Sequence, residues 1–181
     1  MKTAVKRFES TNNKMGVNTV SVIGAIMVPH PPIILPEVGK GEEKKIAATT
    51  AAYEKAAALA AELQPDTIVL ASPHSVMYSD YFHVSPGKSA RGDMGQFRAS
   101  QVKFRVEYDA EFVGELSKRC EQTGFPAGTL GVRKPELDHG TMIPLYYVNH
   151  TYKDYKLVRI GLSGLPLTDH VRLGKMVQIG R

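Results

Sequence analysis

Six histidines are spread through the 181-residue chain, and three of them stand in short motifs that set them apart. His30 lies in Val28-Pro29-His30-Pro31-Pro32, His74 in Ser72-Pro73-His74, and His139 in Leu137-Asp138-His139-Gly140. Proline fixes its own φ and pushes its predecessor into extended geometry, so the backbone around His30 is stiff. Two Pro-His dipeptides, each closing an apolar run, point to a shared metal or substrate site for His30 and His74. Neutral imidazole binds iron, zinc, copper and nickel well.

Two histidines with one carboxylate, leaving positions open, are the ligand set of non-haem Fe(II) oxygenases, and two histidines with one Glu also suit a hydrolytic zinc. Glu37, Asp80, Glu136 and Asp138 are the carboxylates near enough in sequence to complete either set. His139 precedes a glycine, which lets a ligand approach the backbone closely. At the mouth of a helix it would meet an anionic oxygen, as a donor or as an acid or base. The competing reading makes Asp138 a helix cap and leaves His139 facing solvent. His83, His150 and His170 read as surface residues, and Ser75 has no Gly-x-Ser-x-Gly elbow around it.

The elements that would position these residues follow from periodicity. Residues 20–28 form an apolar run expected to be a buried strand. Residues 42–63 are rich in Ala, Glu, Lys and Leu and predict a helix with Ile46, Tyr53, Ala56, Ala57, Leu59, Ala60 and Leu63 on one stripe. Residues 67–71 predict a second strand. Strand, helix, strand is a βαβ unit, so the two strands are expected to be parallel, with His30 and His74 on one rim of the sheet. Further on, the pattern predicts a short strand near 78–84, a glycine-rich loop at 86–95 that could serve as a lid, and a strand at 102–106. A helix at 110–123 is capped by Asp109 and ended by Gly124, with Phe112, Val113, Leu116 and Cys120 facing inward. A turn at Asp138-His139-Gly140 opens a helix, residues 155–162 predict a strand, and 169–177 a final helix. The order implies an α/β fold with a mostly parallel central sheet flanked by helices. No strand follows the final helix, so the fold is expected to be cut short at its C-terminus.

Composition is that of a soluble globular domain, with 43% hydrophobic and 23% charged residues and a net charge of +5. No basic stripe for nucleic acid and no run of the ~20 apolar residues needed for a membrane span is present. A single cysteine, Cys120, excludes an internal disulfide, and a cytoplasmic location is the expectation.

Taken together, Val28-Pro29-His30-Pro31-Pro32, Ser72-Pro73-His74 and Leu137-Asp138-His139-Gly140 with Pro144-Leu145 resemble the class III extradiol ring-cleavage dioxygenases, LigB-type catalytic subunit. The nearest likeness is to bacterial LigB-like proteins of the AmmeMemoRadiSam-associated branch. The similarity runs from about Val22 to the chain end, leaving residues 1–18 as an expected disordered leader and 19–181 as a LigB-like domain. The resemblance implies O₂-dependent opening of a catechol-type ring at a mononuclear Fe(II) site, with zinc as the other metal to consider. It assigns His30 and His74 as metal ligands and His139 as the catalytic histidine beside the substrate. It further implies that the metal-binding glutamate and an acid–base histidine lie C-terminal to residue 181. Expected partners are a small aromatic substrate and O₂, with neither nucleic acid nor membrane, and a homo-oligomer. The alternative is a catalytically inactive metal- or ligand-binding module or assembly partner with the same fold; a zinc hydrolase is a third reading.

Overall fold

The computed structural model describes residues 4–7, 22–134 and 136–178. Eight strands appear in chain order: β1 (Ala4–Arg7), β2 (Gly24–Met27), β3 (Thr67–Ser72), β4 (Phe82–His83), β5 (Ser89–Met94), β6 (Ala99–Glu107), β7 (Ala127–Gly128) and β8 (Lys156–Gly161). Among them run helices α1 (Pro36–Gly39), α2 (Ala47–Leu63), α3 (Ala110–Gln122), α4 (His139–Thr151) and α5 (Leu167–Gln178).

The arrangement is α/β, with parallel strand pairs flanked by helices. β8 is its axis, buried from Leu157 to Gly161. It pairs in parallel with β3, Ile68 opposite Leu157 and Leu70 opposite Arg159. Its other neighbours are reached through bridges at Tyr108–Leu157, parallel, and Val84–Ile160, antiparallel. A strand packed on both faces must be apolar on both, and Leu157, Val158 and Ile160 meet that demand. One core gathers Tyr53 and Ala57 of α2, Met142, Ile143 and Leu145 of α4, and Ala90, Met94, Phe104 and Val106 of the β5–β6 hairpin. A second gathers Phe112, Leu116 and Cys120 of α3, Leu173 of α5, and Phe82, Val158 and Ile160.

The α3 reading holds in detail. Asp109 accepts from the Phe112 N–H at 3.0 Å, the four expected side chains are buried, and Gly124 follows at φ +61°. A cap of this kind contributes about 1 kcal/mol. Three other expectations are corrected. Of the run 20–28, the described residues 22–28 are not a buried strand: the strand there is Gly24–Met27, it pairs antiparallel with β1, and Ala25, Ile26 and Met27 are exposed, Met27 at 68%. An apolar run states what a strand tolerates, not whether anything packs on it. Accordingly β2 is not the hydrogen-bonded neighbour of β3, whose partner is β8. The glycine-rich stretch is not a lid. Residues 89–94 are a strand of a hairpin with β6, Ala90 and Met94 turn inward, and the Leu137 N–H donates to the Arg91 carbonyl at 2.8 Å. Gly92 is needed there because an added Cβ would lie 2.8 Å from the Met142 sulfur. Of the expected leader, Ala4–Arg7 is strand β1, and the remainder lies outside the described residues.

Candidate metal centre

Each of the three motif histidines occupies a junction. His30 follows β2 and precedes a 3₁₀ turn at Pro32–Ile34, where the Ile34 N–H donates to the Pro31 carbonyl at 3.1 Å. The Tyr53 hydroxyl of α2 donates to the Pro29 carbonyl, and its ring stacks on Tyr147 of α4 at 4.5 Å between centroids. His74 lies two residues past the end of β3, with its backbone N–H donating to the Ser72 hydroxyl at 3.2 Å. His139 is the first residue of α4, directly after Asp138, whose carboxylate accepts the Thr141 N–H at 3.0 Å.

The three rings converge. His30 Nε2 and His74 Nε2 are 3.0 Å apart. His139 packs against both, with ring centroids 4.0 Å from His74 and 5.8 Å from His30. One ligand nitrogen from each lies within 4.8 Å of the others. Metal–imidazole bonds of about 2.1 Å put neighbouring ligand atoms roughly 3.0 Å apart in an octahedral site and 3.4 Å in a tetrahedral one. The His30–His74 separation fits that edge. The His30 and His74 pair is therefore the part of the cluster that matches a coordination sphere, and His139 lines it.

Burial lowers the His30 and His139 pKa values, the neighbouring imidazoles lower them further, and Asp138 opposes the shift. Both shifts favour the neutral ring, the form whose lone pair can take a cation or a proton. Gly140 permits the approach, since an added Cβ would lie 2.6 Å from the Ser72 hydroxyl and 3.1 Å from the His74 ring.

No candidate carboxylate joins the trio among the described residues. Glu37 accepts from the Tyr146 hydroxyl at 3.2 and 3.3 Å, and burial together with that carboxylate pushes Tyr146 up to about 12. Asp80 and Glu136 are exposed. Asp138 stands beside the cluster, but its oxygens take the Ser72 hydroxyl at 2.5 Å and the Thr141 hydroxyl at 3.0 Å. A cleft of about 1210 Å³, lined by Glu37, Lys103, Arg105, Tyr146 and Tyr155 among others, contains none of the three histidines. Its wide mouth and mixed charges set it apart from the histidine site.

The remaining histidines stay apart from the site, although His83 departs from expectation. It is 1% exposed rather than superficial, and its Nδ1 lies 3.0 Å from the Leu130 carbonyl, so that nitrogen carries the proton. His150 and His170 bond to carbonyls of their own helical turns. Sequence reasoning missed Ser72, Arg159 and Phe97. The Phe97 and His139 rings pack edge to face with centroids 5.3 Å apart, a contact that depends on a hairpin mistaken for a loop. Arg159 was detectable as a lone charge inside an apolar strand.

An α/β scaffold here presents converging imidazoles at strand ends and a helix mouth, a candidate metal site. The chain belongs to the LigB family, the catalytic LigB subunits of aromatic ring-opening dioxygenases, which it matches over residues 24–179. It is 35% identical over 165 residues to a protein of Clostridium acetobutylicum whose name states no activity, covering 87% of this chain and 35% of that protein. It is 27% identical over 173 residues to a 2-aminophenol 1,6-dioxygenase beta subunit of Pseudomonas sp, covering 88% of this chain and 55% of that one. The chain thus spans about a third and about half the length of these relatives. At the level of the family, the described activity is that of an aromatic ring-opening dioxygenase. Among the described residues no helix is long and apolar enough to cross a membrane.

Proposed function

We propose that this chain carries the metal-binding pair of an Fe(II)-dependent extradiol dioxygenase that opens a catechol-type or 2-aminophenol-type ring with O₂. The observation that carries the reading is the 3.0 Å separation of His30 Nε2 and His74 Nε2, with His139 packed against both. His30 and His74 would hold the ion, and zinc is the competing metal. Bound there, Fe(II) supplies the redox centre that lets an electron-rich ring react with O₂. Both oxygen atoms enter the product, so no external reductant is required.

The side chains do the rest. His139, neutral and at the N-terminus of α4, accepts a proton from a substrate hydroxyl or donates to its oxygen. Phe97 offers an apolar ring beside it, suited to a flat aromatic substrate. A glutamate and a further histidine from outside this chain remain the proposed completion of the site. Assembly into an oligomer and a cytoplasmic location are proposed with it, on the subunit name of the Pseudomonas relative and on the buried single thiol of Cys120.

The test is anaerobic Fe(II) loading of a version that also carries the completing glutamate and histidine, then exposure to air with protocatechuate or 2-aminophenol. A yellow ring-opened product that vanishes in His30→Ala and His74→Ala supports the reading. A second reading, a binding module without turnover, is favoured by the lack of a carboxylate in the cluster among the described residues. Tight Fe(II) retention with no product on any catechol or aminophenol would select it.

A further inference from the structure

Arg159 is 2% exposed in the middle of β8, between Val158 and Ile160. A guanidinium is costly to bury, and an apolar residue of similar volume commonly serves stability as well. Here every arm of the group is used. Nε donates to the Ser85 hydroxyl at 2.8 Å, Nη1 to the Glu136 carbonyl at 2.8 Å and Nη2 to the Lys134 carbonyl at 2.9 Å. Those carbonyls belong to the segment that leads into Asp138 and His139. Nη1 also lies 3.8 Å from Asp138 Oδ2.

Asp138 continues the chain of contacts. Its Oδ1 accepts from Ser72 Oγ at 2.5 Å and the Thr141 N–H at 3.0 Å, and its Oδ2 from Thr141 Oγ1 at 3.0 Å. Ser72 Oγ in turn accepts the His74 N–H at 3.2 Å. One continuous polar path therefore joins β8, the start of α4 and the end of β3. It touches the backbone of His74 and the residue before His139.

We infer that Arg159 is a positioning residue for the proposed metal site, acting through Asp138 and Ser72 to set the spacing of the His74 and His139 rings. The inference rests on the metal-site reading above and extends it to residues that contact neither metal nor substrate. Outer partners of this kind orient metal ligands, and their loss typically weakens binding about 10–100-fold.

The test uses Co(II) alone as probe, followed by its visible absorption, with imidazole NMR of the metal-free protein as a second readout. Ser72→Ala and Arg159→Met are expected to fold yet bind Co(II) about 10–100-fold more weakly. Arg159→Lys, which keeps the charge and loses the planar fork, is expected to fall between them and the native protein. The Arg159→Met/Ser72→Ala pair should bind no more weakly than the worse single variant, since both cut one path. In the metal-free variants the His74 and His139 resonances should move while those of His150 and His170 stay. Should Arg159→Met fail to fold, Ser72→Ala and Arg159→Lys decide alone. Native Co(II) affinity and unmoved His74 and His139 resonances in those two folded variants would overturn the inference. If the native chain binds no Co(II), the metal-site reading fails, and the resonances alone decide whether Arg159 positions the rings.

Discussion

The two arms that bring histidines together are built in opposite ways. The arm bearing His74 and His139 is anchored in the buried centre, through Ser72, Asp138 and Arg159 to β8. The arm bearing His30 hangs from β2, an exposed strand paired only with β1 among the described residues. It is held by its prolines and by the Tyr53 hydroxyl on the Pro29 carbonyl. The first arm gains its rigidity from a satisfied polar network, the second from restricted backbone torsions. Two imidazoles can thus meet at 3.0 Å without their strands sharing a hydrogen bond.

The largest effect should come from removing either arm's imidazole. His30→Ala and His74→Ala should each abolish Fe(II) retention on gel filtration, a loss beyond the ~10–100-fold typical of outer partners. Retention by one variant alone would show that the arms do not share an ion. His139→Gln separates lining from ligation: retention is expected to persist while turnover on 2-aminophenol, in a version carrying the completing glutamate and histidine, falls by about 10²–10⁴-fold. Equal loss of retention would make His139 a ligand.

Gly140→Ala attacks the anchored arm by crowding. The new methyl would press on the Ser72 hydroxyl and the His74 ring, costing about 1–3 kcal/mol on thermal denaturation and weakening Co(II) binding. Unchanged stability would mean the close approach is softer than the structure shows. Tyr53→Phe probes the tethered arm and should do least, about 1 kcal/mol of stability and a few-fold in Co(II) affinity. A loss as large as that of Gly140→Ala would reverse the ranking of the two arms.

Local chemistry was legible in the sequence where a residue's role depends on its near neighbours. The Asp109 cap, the Asp138 cap and the four inward side chains of α3 are of this kind. The convergence of His30 and His74 was foreseen, but through a β2–β3 pairing that does not occur, so the route was wrong while the meeting place was right. Pairing of β3 with β8 joins residues about ninety positions apart, and no local pattern encodes it. The β5–β6 hairpin was hidden because Gly87, Gly92 and Gly95 read as punctuation, whereas Gly92 is there to let Leu137 and Met142 close in. The polar path through Arg159 had one visible trace, a charge in an apolar strand, whose meaning needed the partners across the fold.

The central claim is that His30 and His74 hold one ion together. Anomalous diffraction from Co(II)-loaded crystals tests it most directly. The account predicts a single peak about 2.1 Å from both Nε2 atoms, with His139 beside it and outside the bonding distance. A peak bonded to only one of the two histidines, or none between them in crystals soaked with excess Co(II), would contradict it.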